Sequence, residues 1–474
     1  MSAQIKFGTD GWRGIIAEDF TFDNVRACAQ AVAGYLKDSD LGGQGLVVGY
    51  DTRFASEDFA AAAAEVLAGN GLKTFLCSQV TPTPVVSYGV VAGGRSGAII
   101  ITASHNPAQW NGFKFKSELG SSAPSQVTSE LERRIAEILA GGGIKDLPLD
   151  QARNQGLVET VDLAPPYLDH IAQLMDVERI RRAGLRVALD SMYGAGAGYI
   201  NRILGGEQTR INEIHGERNP LFPGLQPEPI APNLGQLSDT VRETGSDVGL
   251  ATDGDADRLG VVDEKGEFIS TLHTFALLAL YLLEVRGERG PLVKTTNGST
   301  MLDRLGEIFS IPVHETPIGF KYVAPMMMSE KALMGGEESG GYGFRNHVLE
   351  RDGILAAIYL LDFMVGLDKK PSELMEYLFS KVGPHYYDRL DVKIPLEQHQ
   401  EVTARIGRDI PDRLGGTQLA RLDTQDGFRF ILKDGTWLLI RFSGTEPLVR
   451  IYAESHSPEV VKKLLEEGRK LAGL

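Results

Sequence analysis

Gly45-Leu-Val-Val-Gly-Tyr-Asp51, with the stretch Ser56 to Asn70 behind it, decides the fold class of this chain. The apolar run ending on an aspartate reads as a buried strand that opens into a polar loop. The following stretch places Phe59, Ala63, Val66 and Leu67 at helical spacing. The same order returns at Ser96-Gly-Ala-Ile-Ile-Ile-Thr-Ala103, with a helix expected from Val127 to Leu139. It begins again at Arg186-Val-Ala-Leu-Asp190, Asp247-Val-Gly-Leu-Ala-Thr-Asp253, Pro291-Leu-Val-Lys294 and Ile311-Pro-Val-His-Glu315. Repeated strand–helix units predict mostly parallel sheets covered by helices.

The C-terminal part reads differently. Phe428 to Arg441 holds two alternating strands around an Asp-Gly turn, a hairpin pattern. Leu448-Val-Arg-Ile-Tyr-Ala453 and an amphipathic helix from Pro458 to Leu471 follow it. The expected class is α/β: three α/β units with mixed sheets and a smaller C-terminal α+β unit. Seams fall at Gly141-Gly-Gly143 and the polar stretch after it, at the Asp263-Glu-Lys-Gly266 turn, and after the helical run Ile354 to Val365. The expected units are residues 1–155, 156–266, 267–380 and 381–474.

Composition narrows the function. Among 474 residues, 42% are hydrophobic and 23% charged, which excludes a disordered chain, a coiled coil and a membrane bundle. The formal charge of −15 disfavours nucleic acid and anionic lipid, so an anionic substrate must meet a local basic pocket. Cys28 and Cys77 alone make neither a disulfide framework nor a structural zinc site, and a reduced, cytoplasmic setting is expected. The N-terminal Met-Ser-Ala-Gln-Ile-Lys-Phe has no signal-peptide core, and Phe275 to Leu283 is far shorter than the ~20 residues a membrane helix needs. The 55 glycines cluster beside Asp, Ser, Thr and Arg, where backbone approaches a ligand closely.

Four segments carry chemistry. In Thr102-Ala-Ser-His-Asn-Pro-Ala-Gln-Trp-Asn-Gly-Phe-Lys114, Ser104 stands just past an apolar strand, where α/β sheets present reactive groups. His105 and Asn106 can fix that loop, and the Asn-Gly turn can fold Lys114 back toward it. In Asp253-Gly-Asp-Ala-Asp-Arg258, alternate positions of an extended loop converge, so Asp253, Asp255 and Asp257 form an oxygen-only site suited to Mg²⁺ or Ca²⁺. Arg258 is wrong for the EF-hand glycine, and a strand rather than a helix precedes the loop. Gly335-Gly-Glu-Glu-Ser-Gly-Gly-Tyr-Gly343 sets Glu337 and Ser339 on a flexible backbone, able to bond neighbouring hydroxyls of a sugar. Arg441-Phe-Ser-Gly-Thr-Glu-Pro-Leu-Val-Arg450 combines hydroxyls, backbone N–H groups and two guanidiniums, a set suited to phosphate. Each segment alone also reads as an ordinary turn. Gly194-Ala-Gly-Ala-Gly198 fails as a dinucleotide fingerprint because Tyr199 stands at its sixth position. Asn297-Gly-Ser299 matches a glycosylation acceptor that a cytoplasmic chain never uses.

Taken together and in this order, the segments resemble the α-D-phosphohexomutase family over the whole chain. The resemblance rests on Gly8-Thr-Asp-Gly-Trp-Arg-Gly14, Thr102 to Pro107, Asp253 to Arg258, Gly336 to Gly340 and Arg441 to Thr445. Lys294 in Val-Lys-Thr-Thr and Thr316-Pro-Ile-Gly-Phe-Lys321 extend it. It implies a heart-shaped, four-domain protein with one loop per domain around a central cleft. Ser104 is then the phosphoserine, with Mg²⁺ held by its phosphate, Asp253, Asp255 and Asp257. Lys114 resembles the proton-transfer residue, Arg13 and Arg258 the cleft arginines, and His105 a further member of the catalytic loop. Glu337 and Ser339 would hold sugar hydroxyls. Arg441, Ser443, Gly444, Thr445 and Arg450 would grip the unreactive phosphate, supported by Lys294 and Lys321.

The implied reaction is reversible phosphoryl transfer between positions 1 and 6 of a hexose phosphate through a hexose 1,6-bisphosphate, which also acts as activator. Glu338 leans toward glucose, while Gly341 stands where the dual-specificity branch has histidine. Two alternatives stay open: a glucose-1,6-bisphosphate synthase, and a non-catalytic sugar-phosphate sensor. The expected partners are small hexose phosphates and no nucleic acid or membrane, in a monomer or homodimer.

Overall fold

The computed structural model describes residues 5–206, 208–408, 410–442 and 448–474. Its strands form four sheets. The first has the spatial order Trp12–Ile15, Trp110–Lys116, Gly97–Ile101, Leu46–Tyr50, Thr74–Cys77, Val158–Val161. The second runs Phe268–Ile269, Leu259–Val262, Val248–Thr252, Arg186–Asp190, Arg210–Ile214. The third runs Val313–Thr316, Leu292–Thr295, Met334–Gly336, Tyr342–Phe344. The fourth is antiparallel throughout, with Tyr386–Lys393 beside Leu448–Ser455, then Trp437–Phe442 and Phe428–Leu432.

The first three sheets are mixed, not simply parallel, and they are mixed in the same way. In each, a parallel strand buried along its whole length turns through a loop and returns antiparallel. Gly97–Ile101 returns as Trp110–Lys116, Val248–Thr252 as Leu259–Val262, and Met334–Gly336 as Tyr342–Phe344. The returning strand removes the open edge, and the loop at its tip is free to carry polar groups. The serine, aspartate and sugar segments are these three loops. In the fourth sheet, Trp437–Phe442 and Leu448–Ser455 flank the phosphate segment, so Ser443, Gly444 and Thr445 lie outside the described residues.

Two strands lie just past expected seams. Val158–Val161 pairs in parallel with Thr74–Cys77, so the first sheet runs past residue 155. Asp263–Gly266 is the tight turn of a hairpin that joins Leu259–Val262 to Phe268–Ile269, so it lies inside the second sheet. A turn signal marks a reversal of the chain and does not tell a domain border from a hairpin.

Hydrophobic burial divides the molecule unevenly. The first sheet has its own core, including Val32, Leu67, Ile99 and Phe113. The second and third share one continuous core: Leu250 and Val261 pack in the same cluster as Phe275, Leu280, Leu355 and Leu361. The apolar helix Gly353–Leu367 runs through it, started by Asp352, whose side chain accepts from the Leu355 N–H. The C-terminal unit has a separate core around Phe430, Ile440, Ile451 and Leu464. No helix among the described residues is long and apolar enough to cross a membrane.

Candidate active site

Ser104 sits at the tip of the first loop with φ +54°, a left-handed conformation that a serine adopts only when its surroundings impose it. Arg53 imposes it. This fully buried guanidinium donates to the carbonyls of Ser104 and Asn106, both at 2.6 Å, and to those of Pro107 (2.9 Å) and Trp110 (3.0 Å). Asp51 at the end of the central strand holds it from behind, 3.1 Å from Nε. The Ser104 hydroxyl in turn donates to Asp253 Oδ2 at 2.8 Å, across two sheets. That approach needs Gly254, where a Cβ would stand 2.4 Å from the Ser104 carbonyl.

Asp253, Asp255 and Asp257 converge as expected. Their side chains are fully buried, with one oxygen of each within 4.8 Å of the others. Burial, then Asp257 and Asp255, push the Asp253 carboxyl well above the usual carboxylate range. Burial also works against ionising Asp255, but Lys114 outweighs it and keeps that carboxyl low. Lys114 Nζ lies 2.8 Å from Asp255 and Asp10 and 3.6 Å from Asp257. Thr83 donates to Asp255 at 2.5 Å.

The donor set fits a hard divalent cation. The buried carboxylates of Asp10, Asp253, Asp255, Asp257, Glu337 and Glu350 crowd this part of the cleft beside Lys114, Lys116, Arg258 and Arg351. Asp255 Oδ1 and Asp257 Oδ1 are buried and accept no hydrogen bond among the described residues. Such oxygens are costly unless something charged engages them. Asp253, Asp255 and Asp257, with the oxygen on Ser104, are the residues that would hold Mg²⁺.

Beside this acidic cluster lies a cationic one. Arg258 reaches Glu228 at 3.2 Å, and Arg13 reaches the Asn106 side chain at 2.5 Å. Burial, and after it Arg258, lower the Arg13 pKa, as expected of cations gathered without enough anions. His105 feels the same field. Burial first, then Arg258, Arg13, Arg450 and Arg53, hold its ring well below the usual histidine range, so it is a neutral imidazole. The influence of Arg450 on His105 brings the C-terminal wall to the serine loop.

Glu337 is buried at the sugar loop, and Ser339 beside it is half-buried. The Glu338 carboxylate accepts from Tyr387 at 2.7 Å and Arg389 at 3.2 Å, both on the C-terminal unit. Lys321 opens the helix Phe320–Glu330, half-buried, with its ammonium 5.3 Å from the Tyr322 ring centre. Lys294 lies on a strand buried on both faces, and its ammonium meets Asp303 and the Ser299 carbonyl (3.2 Å). Arg441 and Arg450 face each other across neighbouring strands, with Arg441 held by Asp426 at 2.9 Å.

Sequence reasoning missed several members. Asp10 lay inside the quoted Gly8–Gly14 segment, and Arg53 two residues past the first strand's Asp51. Lys116, 2.8 Å from Asp10 and 2.5 Å from Glu350, alternates with Lys114 on one strand, a signal that could have been read. Glu350-Arg-Asp352, a charged run directly before the most apolar helix, was the clue to Arg351.

This cleft joins the serine loop, the loop of three aspartates, the Glu337 loop and the strands bearing Arg441 and Arg450. Phosphoglucomutase/phosphomannomutase α/β/α domains I, II and III match residues 4–141, 165–266 and 272–382, and the C-terminal domain of that family matches 392–471. A phosphoglucomutase/phosphomannomutase of Thermococcus kodakarensis is 32% identical, with 98% of each chain covered. A phosphoglucosamine/phosphogalactosamine mutase of Sulfurisphaera tokodaii is 29% identical, again over 98% of each. A crystal structure from Thermus thermophilus, carrying a provisional phosphomannomutase name, is 36% identical with TM-score 0.86 over the full length of both chains. The chain belongs to the phosphoglucomutase/phosphomannomutase family of α-D-phosphohexomutases.

Proposed function

We propose that this protein interconverts hexose 1-phosphate and hexose 6-phosphate through a phosphoserine at Ser104 and a hexose 1,6-bisphosphate. The observation that carries the reading is the 2.8 Å hydrogen bond from the Ser104 hydroxyl to Asp253, which joins a nucleophile and a cation site from separate sheets. Ser104 is fixed in place by Arg53, so its phosphoryl group is delivered in one orientation, and orientation is most of what phosphoryl transfer asks of a protein.

In the transfer, the serine Oγ–P bond breaks as the P–O bond to a sugar hydroxyl forms. The hydroxyl proton ends on the serine oxygen, and Lys114 is the group placed to carry it. Arg13 and Arg258 stabilise charge on the moving phosphoryl oxygens. A divalent ion on the three aspartates would neutralise that same charge and draw carboxylate density away from Lys114. Glu337 and Ser339 accept and donate to ring hydroxyls, and Arg441 and Arg450 hold the phosphate at the far end. A bisphosphate carrying the same group at both ends can turn over in such a cleft and return its other phosphate to Ser104.

Glucose 1- and 6-phosphate are the substrate pair proposed first, on the resemblance of Gly336-Glu-Glu-Ser339 to the glucose-preferring branch. The test combines intact mass with a substrate panel. Incubation with glucose 1,6-bisphosphate and Mg²⁺ should add one phosphate to the protein, and that addition should vanish in Ser104→Ala. Glucose, mannose and glucosamine 1-phosphates should then be converted to 6-phosphates, glucose fastest. Free bisphosphate accumulating in place of the 6-phosphate identifies a synthase. Phosphorylated protein that turns over none of them identifies a sensor.

A further inference from the structure

Two adjacent glycines in the sugar loop have different reasons to be glycine. Gly340 has φ +90°, a conformation that a side chain resists. Gly341 lies outside the left-handed region, yet a Cβ there would stand 2.4 Å from Cδ of Arg351 and 2.9 Å from its Cγ. Gly341 therefore gives space, and the space is filled by Arg351.

That arginine reaches four carboxylates from separate segments of the cleft. Nη2 lies 2.7 Å from Asp257 of the metal loop and 2.8 Å from Asp10 of the N-terminal loop. Nη1 lies 3.5 Å from Glu337 of the sugar loop, and Nε lies 3.1 Å from Glu350. The guanidinium stands 5.6 Å from the centre of the Phe320 ring. Its backbone is equally fixed, because the next residue, Asp352, caps the helix Gly353–Leu367 and accepts from Tyr167 at 2.7 Å. Among the described residues, Arg351 is the one side chain bonded to the Glu337 carboxylate, whose remaining acceptor capacity is left for another donor.

We infer that Arg351 is a positioning residue for sugar recognition, admitted by Gly341, which aims Glu337 at the hexose hydroxyls and ties it to the aspartate loop and Asp10. The inference rests on the reading of this cleft as a hexose-phosphate site. It predicts that Arg351 acts through Glu337, and that Gly341 matters only while Arg351 is long.

The test is a pair of double-mutant cycles, read as the Kd for glucose 6-phosphate by calorimetry at saturating Mg²⁺, with thermal melting as the folding control. Arg351→Met and Glu337→Gln should each weaken binding about tenfold, as expected for losing a charge-assisted contact. The double variant should be within about twofold of the weaker single, and the product of the two single effects would overturn the inference. Gly341→Ala should weaken binding about tenfold in the parent protein but less than about twofold in an Arg351→Ala background. Equal losses in both backgrounds would remove Gly341 from the argument and overturn the inference as stated. Should Arg351→Met fail to fold, Arg351→Lys replaces it in the same cycle, keeping the charge and losing the fork. A parent protein that binds the sugar phosphate without turning it over would sink the mutase reading and leave both cycles to decide this one.

Discussion

The aspartate loop and the strand pair bearing Arg441 and Arg450 both present charge to the cleft, but they are anchored in different ways. Behind Asp253–Arg258 lies the apolar core that the second and third units share, and in front of it Lys114 and Arg351 lock the carboxylates. The basic wall belongs to a unit with its own core. It meets the third unit through polar ties: Glu338 with Tyr387 and Arg389, Asp426 with the Ile318 N–H (2.8 Å), Glu315 with Arg429 (2.6 Å), and Glu454 with the Thr300 N–H (2.9 Å). One small apolar patch, Ile318 against Trp437, Leu439 and Tyr452, joins them. Partly exposed ties of this kind contribute on the order of 1 kcal/mol each, against several for a shared core. The aspartate-loop end of the cleft is therefore the more firmly anchored, and the end bearing Arg441 and Arg450 is the part whose position costs least to change.

The largest effect should come from the more firmly anchored end. Ser104→Ala should lower turnover at least about a thousandfold with the melting temperature essentially unchanged, and near-normal turnover would mean the nucleophile lies elsewhere. Asp253→Asn should lower turnover about a hundredfold, measured in the same coupled assay. It should also separate the two walls by stability. The raised Asp253 carboxyl binds its proton more readily folded than unfolded, so its ionisation opposes folding. That penalty is absent below the usual carboxylate range and grows as pH climbs through the raised value. Without Mg²⁺ at neutral pH, Asp253→Asn should melt about 2–6 °C higher than the parent, and the gain should disappear in acid. Added Mg²⁺ should stabilise the parent and not the variant.

The end anchored by polar ties should respond more gently. Glu338→Gln or Asp426→Asn should raise KM for hexose phosphate about two- to fivefold with kcat nearly unchanged. A collapse of kcat in either would show that the basic wall is as fixed as the aspartate loop. The smallest expected change concerns His105. Because burial and the surrounding arginines keep its ring neutral, His105→Gln should leave the shape of the pH–rate profile between pH 5 and 8 unaltered. An inflection that vanishes in that variant would show that the ring titrates.

The strand-and-helix order, the hairpin around Asp434-Gly435 and the terminal helix were legible because periodicity records burial directly. Strands buried on both faces, such as Gly97–Ile101, read as unbroken apolar runs for the same reason. The mixed sheets followed from the family resemblance and not from the strands themselves, because direction relative to a neighbour leaves no mark on a strand's own composition. Asp253, Asp255 and Asp257 were found together because they are neighbours in the chain. Asp10, Arg53 and Arg351 were missed because their partners are far away: Arg351 is 341 residues from Asp10. The pairing of Lys294 with Asp303 was likewise not legible in the sequence and is seen only in the folded chain.

By itself the chain determined which segments gather carboxylates, hydroxyls and guanidiniums, since side-chain type and local spacing fix donor sets and turns. Only the folded molecule decided which charges meet, that Glu338 faces the C-terminal unit and that Gly341 yields its space to Arg351. Those outcomes depend on distances between segments remote in sequence, and they are set when separate sheets pack around one cleft.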